Sequence, residues 1–358
     1  MKNLLFVFCF CCSHAYAQED STEVKYNPKD DFSITGFPLV FYLPETNLAF
    51  GALGMTVFNA GKNKAWRKSQ VQLGLAYTLK KQFLLFVPYE LYFKDNWKLG
   101  GELGYYRYFY NYYGIGAKSL ENDLETYDAN FPRLISSLLY RFNDKVLAGF
   151  QYRLDVFDIP NIGPLLANEN PVGIGGGTIS TVGIATSFDS RDDIFYPRKG
   201  VLVNLNTEHS GALTGSSYNY STISIDATWY QTIFENQVIV SNLFLGNSAG
   251  NLPYFNYFYL SSGKRGRGFN DRRFIDKNMA LLQVEYRFPI YKRFRGVAFA
   301  SSGTVSPSTS ELFKQPQKIG YGAGLRFQLS KKQLNHLRLD VARSQEGFQF
   351  YITIGEAF

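Results

Sequence analysis

The sequence predicts an all-β protein: a 16-stranded antiparallel transmembrane β-barrel with a long loop folded into its lumen. Most of the chain after residue 32 consists of segments of roughly ten residues in which apolar and polar side chains alternate, the pattern of a half-buried strand. Phe, Trp and Tyr make up 17% of the residues, which suits the two aromatic girdles of a membrane barrel. Beyond the N-terminal segment, no stretch approaches the roughly 18–20 uninterrupted apolar residues of a transmembrane helix.

The N-terminal segment, residues 1–17, predicts a secretory signal peptide. Lys2 gives a positive start, residues 4–12 form an apolar core, and Ala15-Tyr16-Ala17 is a small-x-small cleavage site. All three cysteines lie between residues 9 and 12. We therefore expect the secreted chain to have no disulfide, no thiolate nucleophile and no cysteine metal site.

Two regions follow the predicted signal peptide. Residues 18–32 are polar and predict a short periplasmic tail, and residues 33–358 predict the outer-membrane β-barrel. Sixteen strands of roughly ten residues match the size class of bacterial outer-membrane barrels. The predicted strands are Ile34–Tyr42, Leu48–Phe58, Gln70–Leu79, Gln82–Tyr92, Trp97–Tyr110, Phe131–Phe142, Val146–Phe157, Thr178–Phe188, Val201–His209, Tyr218–Ile233, Gln237–Leu245, Met279–Phe288, Gly296–Gly303, Gly320–Gln328, Leu337–Ala342 and Phe348–Phe358.

The alternation within the strands predicts which face meets lipid. In the tenth strand, Ile223 and Trp229 share one face, whereas Ser224 and Asp226 share the other. A basic side chain facing lipid at mid-membrane would cost about 2–4 kcal/mol. The polar set is therefore expected to face the lumen.

The connections predict the orientation of the barrel. Short turns such as Asn143-Asp144 alternate with long loops such as 246–277, and outer-membrane barrels have short periplasmic turns and long external loops. Basic turns at 62–68, 292–295 and 331–332 are then periplasmic. There they either contact anionic phospholipid headgroups or are simply solvated.

The most informative stretch is GKRGRGFNDRRF, residues 263–274, which precedes the alternating segment MALLQVEYRFP at 279–289. The first piece is too rich in glycine and charge for a strand or helix, and the second is a half-buried strand. We expect the basic loop to fold into the polar lumen and to present Arg267 there. A solvated external loop that binds nothing is the alternative.

Three elements together resemble the BamA/TamA-like bacterial surface antigen barrels, a superfamily of outer-membrane assembly factors and two-partner-secretion transporters. The turn SFDSRDDIFYPRKG resembles the family's D-x-R-D…P-x-x-G turn, and Arg267-Gly268-Phe269 resembles its R-G-F/Y loop tip. The aromatic C-terminal strand, with Gly355 and Phe358, resembles its terminal strand signal. The chain is similar to the barrel-only branch without periplasmic POTRA domains. The turn motif comprises Asp189, Arg191, Asp192, Pro197 and Gly200.

The resemblance implies that Arg267 enters the lumen and pairs with a carboxylate on the wall. Gly266 and Gly268 would permit close backbone approach. The family's partner lies in an F-x-D-x-G strand, but Ser301 stands at the aspartate position. Glu285 or Asp226 could substitute, and our hypothesis is that Arg267 pairs with Glu285. Arg287 on the same strand is a further predicted lumen residue. For the charged turn, we favour a role in pinning strand register.

The resemblance also implies the function: aiding assembly, insertion or translocation of outer-membrane proteins or lipids through a seam between the first and last strands. Expected partners are outer-membrane lipids and periplasmic or outer-membrane proteins. A net charge of +7 does not by itself indicate nucleic acid, and no nucleic-acid partner is expected. The main alternative is a passive or plugged outer-membrane channel or scaffold.

An enzyme is not expected. His209-Ser210 is suggestive of the dyad of an outer-membrane lipolytic enzyme, but no accompanying motif is present. Apart from His209, the predicted mature chain has a histidine only at 336. We therefore expect no metal site and no cofactor.

Overall fold

The computed structural model describes residues 32–43, 47–59, 67–94, 96–261, 264–329 and 336–358. The predicted signal peptide and nearly all of the predicted tail lie outside these residues. So do the basic turn at 331–332 and most of the one at 62–68.

The predicted all-β fold is confirmed: sixteen strands form one antiparallel sheet in chain order, and two short strands pair separately within a loop. Every main strand pairs with its sequence neighbour, except that β11 pairs with β14 across that loop. The strands are β1 Phe32–Leu43, β2 Asn47–Phe58, β3 Ser69–Thr78, β4 Phe83–Phe93, β5 Trp97–Tyr112, β6 Glu125–Arg141, β7 Val146–Asp158, β8 Gly176–Asp189, β9 Gly200–Ser210, β10 Tyr220–Phe234, β11 Gln237–Gly250, β12 Phe258–Tyr259, β13 Ile275–Asp276, β14 Asn278–Tyr291, β15 Phe294–Ser306, β16 Lys318–Gln328, β17 His336–Ser344 and β18 Gly347–Ile354.

The sheet curls around the β11–β14 loop. The guanidinium of Arg272 in this loop lies 4.9 Å from the ring centroid of Tyr110 on β5. Five residues earlier, Arg267 pairs with Asp340 on β17. Because one short segment touches strands from both halves of the sheet, it must lie inside the curl. The edges of the sheet are β1 and β18.

The outward faces are apolar, as the alternation predicts. On β11, Leu243 and Leu245 are exposed whereas Asn242 is buried. The cross-strand partner of Leu243 on β14, Leu282, is also exposed. A continuous apolar exterior is what the hydrocarbon region of a bilayer requires.

The inward faces combine charged and apolar side chains, and charges lie on both sides of the lumen: on β6 and β7, for example, Arg133 forms a buried pair with Asp155 at 2.8 Å. On β14–β17 the inward side chains are largely charged. On β2–β8 they form an aromatic and aliphatic core, in which Tyr106, Tyr110 and Phe131 are buried. Loop residues Leu252 and Tyr254 cover this core. The polar side chains do face the lumen, as the alternation predicts. The prediction did not anticipate the aromatic core that lies beside them on β2–β8 and is buried under the loop.

Several predicted strand boundaries are wrong. β11 continues to Gly250 rather than ending at Leu245, and β15 spans Phe294–Ser306 rather than Gly296–Gly303. β6 begins at Glu125 rather than Phe131, because β5 and β6 continue as a hairpin in which Tyr110 faces Tyr127. The last strand ends at Ile354 rather than at the terminus. There Gly355 adopts φ +87°, a left-handed conformation that turns the chain out of the sheet.

The outward face can be tested by placing a charge on it. We expect Leu243→Arg to destabilise the barrel in phospholipid vesicles by about 2–4 kcal/mol, because the guanidinium would enter the hydrocarbon region. Urea unfolding in vesicles measures the change. Leu213→Arg, a change at a fully exposed side chain in the β9–β10 loop, is the matched control and should have no measurable effect. Equal stability of the two variants would contradict the assignment of the face.

Candidate functional site in the lumen

The site is built by the tip of the β11–β14 loop. β12 and β13 pair with each other, Phe258 with Asp276 and Tyr259 with Ile275, so the loop closes at its base like a hairpin. We call residues 264–274, the described part of its tip, the lumen finger. Asp276 lies at this base. Burial raises the pKa of its carboxyl to about 6, although a backbone hydrogen bond from Lys277 and the charge of Lys277 both lower it.

Arg267 at the tip of the lumen finger bridges two carboxylates on the barrel wall. Its Nη2 donates to Glu285 of β14 at 2.7 Å, and its Nη1 donates to Asp340 of β17 at 2.7 Å. The side chain of Arg267 is only 2% exposed and both carboxylates are fully buried. The guanidinium carbon (Cζ) also lies 3.4 Å from the ring centroid of Phe299. The planar, forked guanidinium suits such bridging, which a lysine ammonium cannot reproduce.

The glycines flanking Arg267 allow this close approach. Gly266 adopts φ +56° and Gly268 φ +108°, in the left-handed region that side chains rarely tolerate. A Cβ on Gly266 would lie 2.2 Å from the carbonyl oxygen of Leu260. The main chain of Gly268 is held directly, because its N–H donates to the Tyr351 hydroxyl at 2.9 Å and its carbonyl accepts from Ser344 at 2.6 Å.

Phe269 completes the predicted tip. It is 4% exposed, and its ring meets that of Phe274 edge-on at 5.7 Å. The two rings pack with Met279 and Leu281 of β14. The finger is therefore held by the apolar packing of Phe269 and Phe274 and by the ion pairs of the Arg267 guanidinium.

A larger ionic cluster surrounds the bridge. Glu285 also accepts from Arg287 at 2.8 Å, and Arg326 of β16 donates to Asp340 at 2.5 Å and to Glu356 at 2.8 Å. We call the following residues the ionic cluster: Arg267, Glu285, Arg287, Arg326, Arg338, Asp340 and Glu356.

Each charge in the cluster has an opposite charge beside it. Burial raises the pKa of Glu356, which lies beyond the last strand, but Arg326 and Arg287 outweigh burial and hold its pKa below the ordinary value. Taking charges out of water is costly, and breaking one buried pair typically costs about 3–5 kcal/mol because its partner is left uncompensated. The cluster therefore has to form as a unit, and it joins β14, β16 and β17 to the finger.

The C-terminal residues contribute to this site rather than to the outer surface. After Gly355 the chain turns inward, and Arg287 donates to the carbonyl of Phe358 at 3.0 Å. The Phe358 ring packs on Tyr230 and Val238. Phe358 therefore does not belong to the last strand, contrary to the predicted span Phe348–Phe358, because that strand ends four residues earlier.

The turn between β8 and β9 is held mainly by its own polar groups. Arg191 donates twice to Asp189, at 2.9 and 2.7 Å. Asp192 accepts from the N–H groups of Arg198 and Lys199. Gly200 adopts φ +108°, and a Cβ there would meet the Ser190 carbonyl at 2.3 Å.

Tyr196 of this turn also packs against the ionic cluster. Tyr196 is fully buried beside the buried Pro197. Its ring centroid lies 4.8 Å from that of His336 and 5.4 Å from the Arg287 guanidinium. The turn therefore contacts the site through Tyr196 and Arg287.

Two predicted partners of Arg267 do not contact its guanidinium. Ser301 donates to the Gly320 carbonyl at 3.3 Å. Asp226 accepts from Asn242 at 2.7 Å and lies 3.8 Å from the neighbouring Arg265. Glu285, the partner in our hypothesis, is the one that the structure brings to Arg267.

Sequence reasoning missed Asp340, Arg326, Glu356 and Tyr196 as members of this site. The polar face of Arg338 and Asp340 was recognisable from their alternation with Leu337, Leu339 and Val341. That pattern indicates that both side chains face the lumen, but it does not show that they lie close to Arg267. Glu356 had no signal, because its position depends on the chain leaving the sheet at Gly355.

The adjacent residues His209 and Ser210, which are suggestive of a lipolytic dyad, make separate contacts: the ring of His209 contacts Ser221. Ser210 points inward and donates to Ser216 and to the Tyr218 carbonyl. Within the described ranges, no group of three or more His, Cys, Asp or Glu side chains has the spacing of a metal site. In the same part of the chain, no α-helix is long and apolar enough to cross a bilayer.

Comparison with known proteins places this site in a wider context. The family model described as "Omp85 superfamily domain" matches residues 59–358 of this chain. BamA from Haemophilus ducreyi lacking POTRA domains 1–3 superposes with a TM-score of 0.65 at 14% identity, over 90% of this chain and 70% of that one.

Two solved structures of CdiB are also similar. CdiB from Acinetobacter baumannii gives a TM-score of 0.58 at 11% identity, over 91% of this chain and 59% of that chain. CdiB from Escherichia coli gives a TM-score of 0.59 at 10% identity, over 91% of this chain and 62% of that chain. This chain thus spans about three fifths of the length of the CdiB structures.

The bridge made by Arg267 can be tested by substitution. We expect Arg267→Ala to lower the free energy of unfolding by up to about 3–5 kcal/mol, because Glu285 and Asp340 each lose one buried charged partner while Arg287 and Arg326 remain beside them. Arg267→Lys keeps the charge but not the fork and should lose part of this amount. Urea unfolding in vesicles is the measurement. Arg107→Lys, the same change at an exposed arginine, is the control, and a loss at Arg267 no larger than at Arg107 would contradict the bridge.

Proposed function

This chain belongs to the Omp85 superfamily of outer-membrane β-barrels, and from that premise we propose that it aids the assembly, insertion or translocation of outer-membrane proteins or lipids. The step would take place at a seam between β1 and β18 that opens locally. We also propose that the signal peptide at 1–17 and the periplasmic tail at 18–32 precede a barrel domain at 33–358.

The observation that carries the proposal is the mismatch between the two edge strands. β1 has 12 residues and β18 has 8. Because the chain turns inward at Gly355, β18 cannot lengthen to match β1. Even when β18 lies beside β1, some backbone N–H and C=O groups of the longer β1 have no partner on β18. Such an unpaired edge is a template for another strand.

The attachment of β18 to the rest of the sheet is also short. Its register with β17 runs only from Leu337–Ile354 to Ser344–Gly347, whereas β5 and β6 pair from Trp97–Tyr140 to Tyr112–Glu125. Fewer backbone hydrogen bonds hold β18, so its displacement costs less than that of an interior strand.

The lumen finger is suited to control this edge. Gly268 donates to Tyr351 of β18, and Gln349 of β18 donates to Asn270 of the finger at 2.9 Å. The ionic cluster holds the same finger to β14 and β17. We propose that the finger fastens the inner face of β18 to a rigid wall, so that release of the edge is regulated through the finger.

The partners follow from this role. Outer-membrane lipids surround the apolar exterior, and the client would be an unfolded strand or a lipid that reaches the β1 edge. Periplasmic or outer-membrane proteins would deliver it. We infer a non-enzymatic role, because the charged side chains around Arg267 are engaged in ion pairs that hold the finger.

A plugged channel is the second candidate, and the filled lumen favours plugging over an open pore. The finger, the ionic cluster and the aromatic core under Leu252 and Tyr254 occupy the interior. We expect purified protein in planar bilayers to conduct weakly, and Arg267→Ala to increase the conductance because the finger loses its anchor. Large steady pores from the unaltered protein would favour the passive channel.

The seam itself can be tested with disulfides, because the predicted mature chain has no cysteine. We expect a tether between Phe350→Cys in β18 and an outward position of β1, such as Ile34→Cys, to block function. A set of such β1 positions should be paired with Phe350→Cys to find the tether that forms. The readout is the level of other outer-membrane barrels in cells depleted of the native protein.

A matched tether provides the control. Phe350→Cys with Val341→Cys joins β18 to β17 at residues that already face each other and should leave function intact. If cells carrying the seam tether assemble other barrels as well as those carrying the control, the seam does not open during function.

A further inference from the structure

The outer face of β7–β11 carries a groove close to the end of the barrel that bears the long loops. Its volume is about 550 Å³. The wall is apolar, with Phe150, Ile184 and Ile223 all exposed. Because these residues face outward on a membrane barrel, the groove opens to the bilayer rather than to the lumen.

The sheet is irregular beneath this groove. The β8–β9 register pairs Val182 with His209 and resumes only at Ala185 with Asn206. Between these pairs, the N–H of Ile184 donates to the Thr207 hydroxyl at 2.9 Å, and the Thr207 carbonyl accepts from the Gln151 side chain at 2.7 Å. Side chains thus replace ladder hydrogen bonds, which is unusual on a lipid-facing surface and marks a local specialisation.

A polar pair lies at the upper end of the groove. Nδ1 of His209 and Oγ of Ser221 are 2.9 Å apart, and both side chains are exposed on the outer face. A neutral imidazole has one donor nitrogen and one acceptor nitrogen. In either tautomer the pair therefore retains one donor for a ligand, the Nε2–H of His209 or the Oγ–H of Ser221.

We propose that this groove binds one ester-linked glycerophospholipid of the surrounding bilayer. An ester carbonyl accepts the free donor of the His209–Ser221 pair, and the acyl chain lies against Phe150, Ile184 and Ile223. The polar pair stands at the strand ends, where the glycerol esters lie in a bilayer, and the apolar wall extends toward mid-membrane. The placement of donor and wall thus matches the order of groups along a phospholipid.

The charge of the groove favours a glycerophospholipid over lipopolysaccharide. The lining contains no arginine or lysine, and its one carboxylate, Glu208, lies 3.7 Å from the lumenal Arg153. A strongly phosphorylated glycolipid would need several cations at its headgroup. An ester carbonyl needs only a neutral donor, which the pair supplies.

Native mass spectrometry of the full chain tests this proposal. The protein is released from detergent micelles containing dioleoyl phosphatidylethanolamine, and the fraction that retains one lipid is measured. We expect His209→Ala/Ser221→Ala to lower the retained fraction at least fivefold. Thr186→Ala, an outward-facing hydroxyl elsewhere on β8, is the matched control and should leave it unchanged. Heat-modifiable migration on gels verifies that each variant is folded.

Two further arms identify the recognised group. An ether-linked analogue, which lacks the ester carbonyls, should be retained at least fivefold less than the ester lipid. Equal retention of ester and ether lipids, or equal retention by the double variant and the unaltered protein, would overturn the proposal. Retention of lipopolysaccharide with no retention of phospholipid would overturn it as well. None of these outcomes depends on whether the seam opens.

Discussion

The bridge from Arg267 to Glu285 and Asp340 is the interaction on which the rest of the structure depends. A buried guanidinium is tolerated only where carboxylates face it, and these two belong to different strands of the wall. The bridge therefore fixes the depth of the lumen finger, whose Arg272 reaches the ring of Tyr110 on the opposite wall. Without it, neither the closed base at β12–β13 nor the contact with β18 has a defined position.

The lumen is accordingly divided in two, and each half is stabilised in its own way. The β14–β17 side is held by directional charge contacts, whereas the β2–β8 side combines packed rings such as Tyr106 and Tyr127 with the buried Arg133–Asp155 pair. The finger lies between them.

Much of this architecture was predictable from the sequence. Two-residue alternation gave the sixteen strands, and glycines around Arg267 indicated a loop that approaches the wall closely. What could not be predicted depends on tertiary position. Asp340 lies 73 residues from Arg267, Gly355 ends a strand whose pattern continues to Phe358, and the tyrosines of β5 look equally suited to a lipid girdle. Alternation identifies two faces but does not tell an aromatic lumen from an aromatic exterior.

Hydrogen–deuterium exchange of the full chain in lipid nanodiscs tests the central claim most directly. The claim is that the ionic cluster makes β14–β17 a rigid wall beside a loosely held edge. The amides of β1 and β18 should then exchange much faster than those of β14 and β17, although all four lie in the same bilayer. Protection of β18 equal to that of β14 would contradict the account.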